Sequence, residues 1–494
     1  MSTNNEKSQS AGGGGLELLK LILPKVPLMI KIILLHILKK SETSQYLDLK
    51  SELTVSVVRS IIDTPKPGAI AETQAMTRRD PGIKGRLWIS KVASQVPPEK
   101  GILDALLDVV DGFRGPAARG TAPTFQIPDI VPVEAEWTGF REAATKESTL
   151  PDISEEGKYH ELMKECKNPS TILFFHGGAY YLCDPVLYRP MAKRIAKMSG
   201  GRVYSVRYRL APQDPFPAAI LDALVSYFTL LYPPPGSIHE AVAPEHIVFS
   251  GDSAGGGISL ALLAVLLELQ RKGRKITWYG EDRVVPLPAG VANLSPWIDP
   301  IQSTPSLLRN GKWDYLPPPK LMAEDWQPPS DELWPAKPAR KHIYMDDANL
   351  LHPLVCLQLN ESWKGAPPVY SSCGWERNQD ENRFIVSKLA RDGVTVVFEE
   401  YQAMPHVFAA ILPNRPETRR NYEGIANFVK TVCESPENIQ SSYKLIRAKT
   451  LEEVDIELDK LSEFSEEEFK ELARKKVASL NISPAPAPGV PPKL

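Results

Sequence analysis

Cysteine is scarce in this chain, and no two form a Cys-x-x-C pair: Cys166, Cys183, Cys356, Cys373 and Cys433 are five in 494 residues. An odd, scattered set supports neither a disulfide framework nor a zinc site, and fits reducing, intracellular surroundings. An excess of one charge is also missing, since 58 Lys and Arg oppose 60 Asp and Glu for a net charge of −2. That balance carries no electrostatic footprint for a nucleic-acid partner. Near the N-terminus there is no unbroken apolar run of the roughly 20 residues that a spanning helix needs. Residues 16–38 are strongly apolar but interrupted by Lys20, Pro24, Lys25, Pro27 and Lys31. No small-residue cleavage site follows them, which argues against a secretory signal.

What is present is more telling. Ile247-Val248-Phe249-Ser250 reads as an apolar strand that breaks at Gly251-Asp252-Ser253-Ala254-Gly255 and resumes as a largely apolar helix over residues 258–269. A Gly-x-Ser-x-Gly pattern is informative in that setting, because a strained strand-to-helix turn lifts the serine hydroxyl clear of a sheet. Gly251 and Gly255 suit a bend too tight for a Cβ. A second motif follows another strand-like run: Thr171 to Phe175 leads directly into His176-Gly177-Gly178-Ala179-Tyr180-Tyr181. Loops of this kind turn backbone N–H groups toward a developing oxyanion. Together the two motifs point to an acyl-transfer site with Ser253 as nucleophile. The N–H groups of Gly177, Gly178, Ala179 and Ala254 are the candidate oxyanion donors.

From about residue 172 to 432 the chain resembles the hormone-sensitive-lipase-like branch of the α/β-hydrolases. Besides the two motifs above, the resemblance is carried by Tyr208-Arg209-Leu210-Ala211-Pro212, Pro215-Phe216-Pro217-Ala218-Ala219, Leu294-Ser295-Pro296-Trp297 and Ala366-Pro367-Pro368-Val369. It implies an α/β fold with a mostly parallel central sheet covered by helices and a helical cap. It also implies carboxylic-ester hydrolysis with no metal and no organic cofactor. This fold orders its triad as serine, acid, histidine. His406, in Gln402-Ala403-Met404-Pro405-His406-Val407-Phe408, is the one histidine after the last core strand (residues 394–401) and matches the family's catalytic histidine by position. His352 precedes any plausible acid.

For the acid, Glu376 stands where the family usually has aspartate, after the strand Pro368-Val369-Tyr370-Ser371-Ser372-Cys373. Asp380 is the alternative, with a plain role in the first turn of a helix over residues 382–392 as its competing explanation. Family members mainly use the second and third residues after the loop histidine as oxyanion donors, here Gly178 and Ala179. Ala179 replaces a common third glycine, and its donor role is expected to need a negative φ. His176 and Asp252 read as bracing residues, and Tyr180, Tyr181 and Leu182 as the substrate pocket.

Along the chain, residues 1–44 comprise a polar, glycine-rich start, read as disordered, and the apolar segment. Within it, residues 28–38, flanked by Lys25, Lys39 and Lys40, either lie in a membrane interface or pack as a helix on the cap. Residues 45–128 read as an N-terminal helical or cap region with a Pro/Gly/Ala-rich connector at 115–128. The hydrolase domain spans 129–435, opened by antiparallel strands over 131–141. Strands near Thr171, Arg202, His246, Gly290, Val369 and Val394 then alternate with helices near Met191, Phe216, Ile258, Asn382 and Thr418, the pattern of a mostly parallel sheet. Residues 300–363 break the rhythm as a cap-type insertion. Its aromatics, among them Trp313, Tyr315, Trp326, Trp334 and Tyr344, either line an acyl pocket or pack on the core. Residues 436–494 read as a charged helical tail with an extended Pro/Ala-rich end.

The expectation is an ester hydrolase for an apolar acyl ester. Its place would be the cytoplasm, or the cytoplasmic or endoplasmic-reticulum membrane surface, with peripheral association through residues 16–40. Two other readings compete: a non-catalytic small-molecule-binding protein on the same fold, and an acyltransferase with the same triad. Acyl chain length, alcohol moiety and oligomeric state are left open.

Overall fold

The computed structural model describes residues 22–64, 67–114, 124–319 and 328–480. The glycine-rich start, Lys20, most of the 115–128 connector, Trp326 and the Pro/Ala-rich end lie outside the described residues.

Helices α1 (Val26–Ile37), α2 (Leu49–Ile62) and α3 (Ile70–Thr77) come first, followed by β1 (Leu87–Ala93), α4 (Gly101–Phe113), β2 (Glu134–Phe140) and α5 (Glu155–Glu165). The repeating part runs β3 (Thr171–Phe175), α6 (Pro185–Ser199), β4 (Arg202–Arg207), α7 (Ala218–Leu231), β5 (Ile247–Asp252) and α8 (Ala254–Arg271). A small hairpin, β6 (Ile276–Trp278) and β7 (Glu281–Arg283), intervenes before β8 (Gly290–Leu294) and α9 (Ser306–Arg309). The chain continues through β9 (Val369–Gly374), α10 (Gln379–Arg391), β10 (Val396–Tyr401), α11 (Phe408–Ile411) and α12 (Pro416–Glu434). It closes with β11 (Ser442–Ile446), β12 (Glu453–Asp455) and α13 (Glu466–Ala478).

Ten strands form one sheet in the order β1-β2-β4-β3-β5-β8-β9-β10-β11-β12. Strands β4 to β11 in that order are mutually parallel, and the pairs β1–β2, β2–β4 and β11–β12 are antiparallel. The sequence of β3 explains its place near the middle. All of Thr-Ile-Leu-Phe-Phe is buried, as a parallel strand covered on both faces requires. The two-residue period then divides it. Ile172 and Phe174 join Met191, Ile195, Ile425 and Phe428 of α6 and α12, whereas Leu173 and Phe175 join Leu224 and Leu263 of α7 and α8. Local signals set the helix ends: α6 starts with Asp184 accepting from the Val186 N–H at 3.1 Å, has Pro185 in its first turn, and stops at Gly200 with φ 80°.

Two boundaries differ from expectation. Strand β1 falls within the 45–128 segment and pairs with β2 from Leu87↔Phe140 to Ala93↔Glu134, so the sheet begins well before residue 129. Strands β11 and β12 fall within 436–494, where a helical tail was expected; α13, with its Ser465/Glu468 capping box, is the helical part. Both misses have one cause. The outer strands stay partly exposed, β11 along nearly its whole length, and so lack the continuous apolar run that marks central strands. In the 300–363 insertion, Trp334 and Tyr344 are buried in the main core cluster, which is the packing alternative for those two aromatics.

Strand β3 and helix α8 approach so closely that a Cβ on Gly255 would overlap the carbonyl of Phe175. Gly255→Ala should therefore lower the free energy of unfolding by about 3 kcal/mol. Urea denaturation would read this as a lower midpoint at constant slope, and an unchanged midpoint would refute so close an approach.

Candidate active site

The C-terminal ends of β3, β5, β8, β9 and β10 lie along one edge of the sheet, the edge where open α/β sheets place their ligands. Ser253 directly follows β5 with φ 50° and ψ −122°, a conformation costly for a residue bearing a Cβ. Its backbone is pinned on three sides. The Ser253 N–H donates to the Leu294 carbonyl at 3.0 Å, and its own carbonyl accepts from Trp297 at 2.9 Å and Gly257 at 3.1 Å.

Beyond β3, the Gly177 N–H donates to Asp252 Oδ1 at 2.9 Å. Gly177 is thereby removed from the candidate oxyanion donors. The N–H groups of Gly178, Ala179 and Ala254 have no acceptor among the described residues. Ala179 departs from the expected negative φ, with φ 52°, yet its N–H is left without an acceptor among the described residues, so the left-handed turn keeps that donor available. The loop curls left-handed through Gly178, Ala179 and Tyr180, and is closed by the Tyr181 and Leu182 N–H groups on the Gly178 carbonyl at 3.1 and 2.8 Å. Tyr180 is buried, stacked on Tyr344 at 3.8 Å between ring centroids, while Tyr181 and Leu182 remain half-buried. Of the three expected pocket residues, only the latter two keep appreciable exposed surface.

Asp252 and His176 brace this loop. Asp252 Oδ2 accepts from the Tyr188 hydroxyl at 3.1 Å, and burial pushes its carboxyl up to about 7 against the lowering effect of its hydrogen bonds. His176 stacks on Tyr208 at 4.4 Å, and burial pushes it down to about 4, so it is neutral near pH 7.

The acid and the histidine come from neighbouring strand ends. A Cβ on Gly374 would overlap the Met404 carbonyl, so only glycine lets the loop after β9 touch the loop after β10. Glu376 is fully buried, with Oε1 at 3.0 Å from His406 Nδ1. Its Oε2 accepts from the Ser295 hydroxyl at 2.6 Å and from the Gly374 N–H at 3.2 Å. His406 Nε2 is buried and has no hydrogen-bond partner among the described residues. Burial alone would lower the pKa of His406, but the facing Glu376, with smaller contributions from Asp314 and Asp252, holds it above the ordinary imidazole value.

The rival residues lie elsewhere. Asp380, in the first turn of α10, accepts from the Ser306 N–H at 2.8 Å and pairs with Arg309 at 2.5 Å, both on α9. It belongs to that helix contact, and the structure sets Glu376, not Asp380, against His406. His352 lies at 3.0 Å from the Val110 carbonyl inside the core.

Two residues of the site had no role assigned from sequence. Ser295, φ 47°, holds both sides of the pair: its hydroxyl donates to Glu376 and accepts the Val407 N–H at 3.1 Å. Asp314 is fully buried in the insertion and ties three segments together. Its Oδ1 accepts from Tyr315 at 2.7 Å and from the His406 N–H at 3.2 Å, and its Oδ2 accepts from the Arg377 N–H at 2.7 Å. Ser295 sits in a motif already singled out, Leu294-Ser295-Pro296-Trp297, and was within reach. Asp314 lies in Trp313-Asp314-Tyr315, where no spacing or pattern marks it.

Residues 172–410 match the family model described as the α/β hydrolase fold. An acetyl-hydrolase of Streptomyces hygroscopicus is 29% identical over 266 residues, 53% of this chain and 75% of that protein. An esterase of Acinetobacter venetianus is 27% identical over 273 residues, 55% of this chain and 78% of its own. Among solved structures, EstE5 crystals soaked with p-nitrophenyl butyrate give a TM-score of 0.54 at 21% identity, over 79% of this chain and 100% of that one. The hormone-sensitive-lipase homologue EstE7 from a metagenome library gives 0.51 at 20%, with the same coverage. Those two structures match in fold, a mostly parallel sheet clad in helices. Motifs, topology and family match agree, and the chain has the α/β hydrolase fold.

Proposed function

We propose that this protein hydrolyses carboxylic esters with an apolar acyl group, using Ser253 as nucleophile, His406 as general base and acid, and Glu376 as the residue that orients His406. Ester hydrolysis as the reaction class is supported by the names of its relatives, acetyl-hydrolase and esterase. The assignment of roles is carried by one observation, the 3.0 Å hydrogen bond from His406 Nδ1 to Glu376, which leaves Nε2 as the imidazole's free nitrogen.

In this scheme His406 Nε2 takes the hydroxyl proton as Ser253 Oγ attacks the ester carbonyl. The unpaired N–H groups of Gly178, Ala179 and Ala254 receive the oxyanion, each worth about 3–4 kcal/mol of barrier by analogy with measured donors. The tetrahedral intermediate expels the alcohol, which takes its proton from His406. Water then attacks the acyl-enzyme by the same route, releasing the acid and restoring Ser253. Glu376 stabilises the imidazolium without taking its proton. Two half-buried residues beside the oxyanion turn, Tyr181 and Leu182, offer apolar surface to the acyl group.

Ser253→Ala should cut kcat on p-nitrophenyl esters by about 10⁶-fold at unchanged thermal stability. Substantial residual turnover would exclude Ser253 as nucleophile. Glu376→Gln should cost about 10⁴-fold in kcat, whereas Asp380→Asn should leave kcat within a few-fold; the reverse ranking would reassign the acid.

His406 must be unprotonated to act as base, and its pKa lies above the ordinary 6.5, so kcat/KM should fall on acidification with a midpoint above 6.5. Asp314→Asn removes one of the charges that raise it, and should move that midpoint to lower pH while lowering kcat more than it changes KM. A pH profile superimposable on that of the unsubstituted protein would show that Asp314 does not act on His406.

A further inference from the structure

Of the large apolar side chains left exposed on the described residues, a disproportionate share lies on one short stretch: Leu23, Val26, Ile30, Leu34, Ile37 and Leu38. Four of them are more than half exposed on α1 or at its edge: Ile30 at 53%, Leu34 at 55%, Ile37 at 66% and Leu38 at 60%. At about 100° per residue these side chains fall within one stripe roughly 120° wide. The opposite side of the helix is the one that is used. Ile32 is buried, Lys25 Nζ donates to the Ser60 carbonyl at 2.7 Å, and His36 Nδ1 lies 2.5 Å from Glu52 of α2. α1 is thus seated on α2 by one face and presents an apolar stripe on the other.

The charges around the stripe identify its occupant. Lys31, Lys39 and Lys40 are exposed and form no ion pair among the described residues, and no acidic residue occurs between Glu17 and Glu42. A second copy docked through this face would set lysines against lysines with no carboxylate in the segment to neutralise them. An anionic lipid surface supplies both the apolar phase for the stripe and the counter-charge for its rim.

We propose that α1 is a lipid-docking helix that lies in the headgroup region of an anionic bilayer, with Ile30, Leu34 and Ile37 inserted and Lys31, Lys39 and Lys40 on the phosphates. The docked element is mechanically joined to the site. Arg59 of α2 donates to the Asp314 carbonyl at 2.6 Å and to the Lys312 carbonyl at 2.9 Å, and Lys312 pairs with Glu42 between the two helices. The Asp314 side chain holds the His406 backbone. A membrane-bound α1–α2 hairpin therefore holds the site at a lipid surface, where apolar esters concentrate; that last consequence rests on the proposed function, and the docking itself does not.

The test is co-sedimentation of the full chain with vesicles of phosphatidylcholine, with and without phosphatidylserine. The unsubstituted protein should sediment with the phosphatidylserine vesicles. The triple variant Ile30→Gln, Leu34→Gln, Ile37→Gln should partition about a hundredfold less or weaker still, with its melting temperature and its turnover of a soluble short-chain ester unchanged. Lys31→Glu, Lys39→Glu, Lys40→Glu should lose about tenfold or more on anionic vesicles while nearly matching the parent on neutral ones. Equal partitioning of parent and apolar variant, or no binding by the parent to either vesicle, would overturn the proposal. So would a parent dimer that the apolar variant disperses without any vesicle binding, since the occupant would then be a second copy. Loss of turnover in Ser253→Ala with normal vesicle binding keeps the two proposals separable.

Discussion

The Glu376 carboxylate has no water-facing surface, and its hydrogen bonds come from three different strand ends: the Ser295 hydroxyl after β8, the Gly374 N–H closing β9, and His406 Nδ1 after β10. Leaving a buried charge without partners costs about 3–5 kcal/mol. Those three loops are therefore held in a single mutual arrangement by the same group that orients the imidazole. Ser295 extends the constraint further. Its neighbour Leu294 accepts the Ser253 N–H, so hydrogen bonds run from the strained serine turn to the loop of His406.

Strain is concentrated at this edge of the sheet. Ser253, Ala179, Ser295 and Val407 all have positive φ, and Val407 is β-branched, the kind of residue for which such a backbone is least tolerable. Each is over-determined by its surroundings: the serine turn by three backbone hydrogen bonds, the Ala179 turn by two, and the Val407 N–H by Ser295. A parallel sheet packed on both faces can hold such turns because its strand ends cannot drift independently. Tight backbone approaches at Gly255 and Gly374 work in the same direction, bringing β3 against α8 and β9 against the histidine loop.

The part of the chain outside the common core acts on the site through backbone contacts. Asp314 comes from the insertion yet accepts N–H groups from the segments bearing both Glu376 and His406, and α2 grips the same loop through Arg59. Such a role leaves little trace in a sequence, because a carboxylate that binds backbone N–H groups needs no particular residue types at its partners. Glu376 was legible because a strand ending and the family order point to it, and Ser253 because glycines must flank so tight a turn. The choice between Glu376 and Asp380 was not legible, since both stand within one helical turn of each other and differ only in where the start of α10 aims them.

Sequence alone determined which chemistry the chain can attempt and the order of its central strands and helices, because buried parallel strands and tight glycine turns leave direct compositional marks. It also marked the apolar N-terminal segment. Tertiary structure alone decided which donors stay free, since Gly177 is consumed by an aspartate that its own position does not reveal. It likewise settled that Ala179 turns left-handed, that the sheet gains outer strands at Leu87–Ala93 and Ser442–Ile446, and that among the described residues nothing covers one face of α1. The physical reason is common to all of these: hydrogen-bond partners and burial are assigned by residues distant in the chain, and local patterning carries no record of them.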